Sequence, residues 1–170
     1  MALRDLIAPG VAQPPVVLDW TLAFESRAPK LALAYWRSCC GDRPRPVRED
    51  LKPSGMAAFL PNVALIEVQP ATDAFKYRIR VAGLGVESVF GHVGGKFISD
   101  SLPPEIEARW KSYFDAVVKA SKPLRLTGRV SFEDKTWLIG EALLAPLGVP
   151  DKPVQMIFAA FSSWPADPSD

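Results

Sequence analysis

The 170-residue chain is expected to fold as a single α+β domain on an antiparallel sheet, and three observations predict this. Residues 75–83, FKYRIRVAG, alternate strictly, with Phe75, Tyr77, Ile79 and Val81 on one face and Lys76, Arg78 and Arg80 on the other. Residues 99–122, SDSLPPEIEARWKSYFDAVVKASK, instead repeat at helical spacing through Ile106, Trp110, Tyr113, Phe114, Val117 and Val118. The first two strand-like runs are joined by PATDA, a hairpin-sized connection, and the stretch after the second leads through short helical elements into that long helix without forming a βαβ unit.

Along the chain, residues 1–28 read as an N-terminal arm. Its first 15 residues scatter prolines without a period, and VVLDWTLAFE, 16–25, is apolar with no clean signature. Residues 29–40, PKLALAYWRSCC, form a helix opened by Pro29 and stopped by Gly41. A proline-punctuated basic connector follows, in which Arg48, Glu49 and Asp50 are expected to make structural ion pairs. Ser54 is expected to cap a short helix that ends at Pro61.

NVALIEVQ, 62–69, is a strand paired with 75–83 across PATDA. The long helix after Gly95 is expected to take Asp100 or Ser101 as its cap. Three further strands are LRLTGRVSFED, with Leu124, Leu126, Val130 and Phe132 inward, then TWLIGEALLAPLG, then QMIFAAFSSW. The last is apolar on both faces, so it belongs in the middle of a sheet covered from two sides. Helices cover one side, leaving the N-terminal segment or a second copy of the chain for the other; a homodimer is the preferred reading. Residues 29–164 are thus the domain and 165–170 a tail.

Composition removes several function classes. Lys plus Arg total 20 against 19 Asp plus Glu, with no general attraction for nucleic acid or an anionic membrane. No apolar run reaches the ~18 residues of a membrane span, and Arg4 and Asp5 interrupt any signal peptide, so the expected location is cytoplasmic. The two cysteines, Cys39 and Cys40, are adjacent and make neither a disulfide framework nor a complete metal site. The single histidine, His92, excludes HExxH chemistry and reads as a solvent-facing loop residue.

The glycines of FKYRIRVAGLGVESVFGHVGGK suggest a nucleotide cradle, but the required residues are missing. The third glycine of GxGxxG is Ser88, and no second strand follows the short helix. The GxxxxGK[ST] loop fails where Phe90 and Phe97 stand. These glycines instead let the chain leave the strand sharply and turn between short helices.

The order strand, strand, short helices, long helix, three strands resembles the PAS superfamily. It is most similar to a bacterial PAS-type group with an N-terminal Tyr-Trp-Arg helix and a Pro-x-Arg connector. The resemblance rests on AYWRS at 34–38, PVRED at 46–50, LPNVALIEV at 60–68, FKYRIRVAG at 75–83, FGHVGGKFI at 90–98 and GEALLAPLG at 140–148. It implies a five-stranded antiparallel sheet in the order 2-1-5-4-3, with helices on one face over a small cavity and a helical extension at the N-terminus. It also implies a stand-alone sensory or signalling module rather than an enzyme, acting through dimerisation or a signalling partner. The alternative is a ligand-free interaction scaffold.

Two departures narrow the cofactor. The Asn-Cys-Arg-Phe context of flavin photosensors is missing, and the helix over 104–120 carries no histidine for haem, so neither cofactor is expected. The pocket is expected to be apolar or aromatic. Its candidate residues are Tyr77, Ile79, Val81, Phe90, Phe97 and Trp110, together with Tyr113, Phe114, Trp137, Ile139 and Phe158. Glu141 shares strand parity with Trp137 and Ile139; if turned inward it needs a partner, such as an arginine. An acid/base pair of Tyr77 with Glu141 or Asp115 is the enzymatic alternative, but no nucleophile accompanies it.

Overall fold

The structure, a computed structural model, describes residues 16–130, 132, 135 and 137–167. The expected arm over 1–15, the end of the tail and parts of the two strands expected to meet near 131–136 lie outside the described residues.

The chain is α+β. Among the described residues its sheet holds six antiparallel strands: β1 (Val16–Asp19), β2 (Val63–Pro70), β3 (Phe75–Ala82), β4 (Leu124–Arg129), β5 (Leu138–Leu147) and β6 (Met156–Pro165). Their order is β1-β4-β5-β6-β2-β3, every pair antiparallel. The count, and with it the full order, therefore differs from the five-stranded expectation, while the five expected strands run β3-β2-β6-β5-β4, which is the expected 2-1-5-4-3. The difference is β1, which adds at an edge by pairing Val16 with Gly128 through Asp19 with Arg125. β6 lies between β5 and β2, where its two apolar faces are both buried.

Helices cover both faces, not one. α2 (Leu84–Phe90), α3 (Ile98–Ser101) and α4 (Pro104–Ala120) pack over a face built from Ala64, Ile66, Ile79, Leu126, Leu144 and Ile157. α1 (Arg27–Cys40) packs over the other, placing Leu33 and Trp36 against Leu65, Leu143, Phe158 and Ala160. The indole of Trp36 donates to the Pro146 carbonyl at 3.0 Å, fixing the helix to β5. The surface that a second copy was expected to cover is thus largely filled by α1 and the short 3₁₀ turns after it.

Those turns replace the single helix expected over 54–60. Pro53–Met56 and Leu60–Asn62 each start with a proline near their first position, and neither has a side-chain cap, so Ser54 does not serve as one. α4 begins after Pro103, while Asp100 and Ser101 belong to the preceding turn α3, so the expected Asp100 or Ser101 cap is displaced. Proline at the start suits a helix because the first N–H groups have no partner there.

Of the three residues expected to anchor the connector 41–50 by ion pairs, Asp50 does so. Arg43 binds Asp50 at 2.8 Å, and Asp50 also accepts the Val47 N–H. The buried Arg45 guanidinium donates to the carbonyls of Gly148, Val149 and Lys152, clamping the β5–β6 turn. Arg48 reaches only the Leu51 carbonyl among the contacts seen at its side chain.

Candidate functional site

A cavity of about 140 Å³ lies between the sheet and the α2 and α4 helices. Its floor is the inward row of the sheet, including Ile66, Ile79, Leu126, Ala142 and Leu144, and its roof is α4 through Ile106, Trp110, Tyr113 and Phe114. Phe90, at the end of α2, forms the hub of the aromatic wall. Its ring meets Trp110 edge-on at 4.9 Å, Phe161 at 5.0 Å and Phe132 at 5.6 Å between centroids. Such tilted and edge-on contacts add to the packing of each ring.

Six of the twelve candidate residues line this space: Ile79, Phe90, Trp110, Tyr113, Phe114 and Glu141. Glu141 does so without its carboxylate, which turns to the opposite face. There it accepts Arg125 Nε at 2.7 Å, the N–H groups of Glu25 and Ser26, and the Ser26 hydroxyl. The arginine partner exists, but its purpose is to hold the start of α1. Burial alone would raise the Glu141 pKa; the bonds from Ser26, Glu25 and Arg125 outweigh it and hold the carboxyl below its ordinary range.

The other candidates fall elsewhere for definite reasons. Phe158 is fully buried against α1 rather than the cavity, because Ile157, Ala159 and Phe161 are the inward residues of β6. Trp137 and Ile139 share the parity of Glu141 and are likewise absent from the cavity wall, Trp137 being 57% exposed. Val81 is half exposed because the β2–β3 register shifts. Ile66 faces Ile79 but Leu65 faces Val81, so Arg80 is an extra residue that turns Val81 over. Phe97 pairs with Arg78 beyond the sheet edge, under its guanidinium at 5.7 Å.

Tyr77 is buried on the inward face but does not line the cavity. Its hydroxyl donates to Asp115 at 2.6 Å, and Lys111 holds the second oxygen of that carboxylate at 2.6 Å. Burial and the neighbouring carboxylate both push the Tyr77 pKa upward, so it stays protonated. The Tyr77–Asp115 pair therefore braces α4 on β3. Tyr113 differs: it lines the cavity, and its hydroxyl makes no hydrogen bond with any described residue.

Several wall residues carried no signal in the sequence. Val16 enters through β1, and Asn62 through the 3₁₀ turn before β2, where its amide donates to the Phe161 carbonyl. Gly140, Ala142, Ala159 and Phe161 complete the floor. The small residues at 140 and 142 were the available clue, since space between a helix and a strand arises where the strand presents little bulk.

His92 is exposed and meets Glu87 at 2.6 Å, away from the cavity. Among the described residues no cluster of His, Cys, Asp or Glu could hold a metal ion, and no helix is long and apolar enough to cross a membrane.

No curated protein matches the chain. A family model described as the PAS domain matches residues 24–161, the span from the residue before the Glu141 anchor point to the inward Phe161. The chain belongs to the PAS domain family.

Proposed function

We propose that the chain is a sensory PAS module that takes a small apolar or aromatic molecule between α4 and the sheet and passes on its occupancy through another protein or through self-association. The observation that carries this reading is the 140 Å³ apolar cavity, walled by the rings around Phe90 and supplied with one unengaged phenol at Tyr113. Pockets of this kind, mostly apolar with a few placed polar groups, are the usual seats of small ligands. The PAS family is one of generally sensory rather than catalytic modules, and among the described residues no set joins a nucleophile to a positioned base.

Self-association draws support from apolar side chains left outside α1, with Val17 50% and Trp137 57% exposed. Sedimentation at rising concentration tests it, and a monomer throughout would leave a separate partner as the route.

Native mass spectrometry of the purified chain after exposure to cell extracts tests the sensory reading. A discrete added mass, with a raised melting temperature, is the expected result. An unchanged mass and no stabilising compound would replace it with the ligand-free scaffold.

A further inference from the structure

The geometry points to an uncharged, single-ring aromatic molecule bearing one small oxygen substituent as the ligand class of the cavity between α4 and the sheet. This rests on the sensory reading above and specifies what that site admits. The first constraint is size. A cavity of about 140 Å³ is close to the roughly 150 Å³ at which an engineered apolar cavity in another protein stays dry and binds benzene. One ring fills such a space, and a second fused ring would have to extend beyond it.

Shape is the second constraint. Phe90 already stands edge-on to Trp110 at an interplanar angle of 90° and tilted against Phe161 at 57°. An additional ring can continue that edge-to-face pattern.

Charge and hydrogen bonding supply the third. The Glu141 carboxylate points to α1, and Arg109 and Arg129, which reach the wall, each already have partners. An anionic ligand would therefore have to draw one of these arginines from its existing partner to offset the loss of its own hydration. The Tyr113 hydroxyl has no partner among the described residues, and burial raises its pKa, so it remains a donor. A ligand oxygen that accepts from it gains the hydrogen bond that a bare ring cannot offer.

The test measures binding of phenol, benzene, benzoate and naphthalene to the full chain by ligand-detected NMR and calorimetry. Phenol is expected to bind roughly fivefold to tenfold tighter than benzene, with benzoate and naphthalene not binding. Tyr113→Phe preserves the volume and should bring phenol and benzene to equal affinity. Ala142→Leu, which fills the floor, should abolish binding of both while circular dichroism stays native.

Benzoate or naphthalene binding as tightly as phenol overturns the proposed class while leaving an occupied sensory cavity. Retained binding in the Ala142→Leu protein, or an undiminished preference for phenol in Tyr113→Phe, overturns the assigned contacts. If none of the four compounds binds, the class is wrong, and only the extract experiment then decides the sensory reading. Should Ala142→Leu fail to fold, the Tyr113→Phe comparison still decides.

Discussion

Arg125 on β4 donates from Nε to Glu141 on β5 at 2.7 Å, and the carboxylate it meets also receives the Glu25 and Ser26 N–H groups at the start of α1. Asp19 on β1 takes the same arginine from its other side at 3.2 Å. One buried cation thus joins β1, β4, β5 and α1, which are the elements by which the N-terminal segment is attached to the sheet.

Removing Arg125 should leave the Glu141 and Asp19 carboxylates without their cation, with only their neutral donors. Arg125→Met is expected to destabilise the fold by about 3–5 kcal/mol, read as a lower urea midpoint at an unchanged slope. Glu141→Gln retains a hydrogen-bond acceptor and should lose less. A change below about 1 kcal/mol in Arg125→Met would mean that the pair behaves as a surface contact.

Acid should weaken the same attachment. The Asp19 carboxyl is held at about 2, chiefly by the Thr21 hydroxyl and also by the Thr21 and Ala23 N–H groups and Arg125, against an ordinary 3.8; Glu141 is also depressed. A carboxyl whose pKa is lower folded than unfolded contributes its stability above the unfolded value and loses it as pH falls through the folded one. The melting temperature is therefore expected to hold above about pH 5 and decline toward pH 2. Asp19→Asn should flatten the decline, and equal slopes in the two proteins would remove Asp19 from the account.

Tyr77→Phe deletes the hydroxyl that binds Asp115 but leaves Lys111 on that carboxylate. The expected loss is about 1–2 kcal/mol by chemical denaturation. Hydrogen exchange should quicken in the middle of α4, since this bond fixes the helix on β3; unchanged protection there would argue for a bond of no positional value.

Gly83 has no room for a side chain, because an added Cβ would overlap the Pro61 carbonyl oxygen. Gly83→Ala is expected to cost about 1–3 kcal/mol by overpacking. Ser121 offers the opposite case: it ends α4 at φ 51° and ψ 36°, the left-handed region in which glycine is relaxed. Ser121→Gly should stabilise by about 1 kcal/mol, seen as a raised melting temperature.

The sequence by itself determined the succession of elements, the alternation that turns Tyr77 and Ile79 inward, the helix carrying Trp110 to Phe114, and the failure of the glycine run as a phosphate cradle. Each depends on neighbours a few residues apart, so local periodicity carries the information. It also placed β6 centrally, because two apolar faces require cover on both sides.

Tertiary structure alone decided which face was which. β5 and β6 are apolar on both sides, so parity groups Trp137 with Glu141, and Phe158 with Ala160, without saying whether α4 or α1 lies above them. The extra residue at Arg80 reversed Val81, a change that depends on the partner strand. β1 exists because the free edge of β4, more than a hundred positions away in the chain, offers hydrogen bonds to four residues with no strand signature of their own. Glu141 finds its partners only once the α1 N-terminus, Arg125 and β5 have come together.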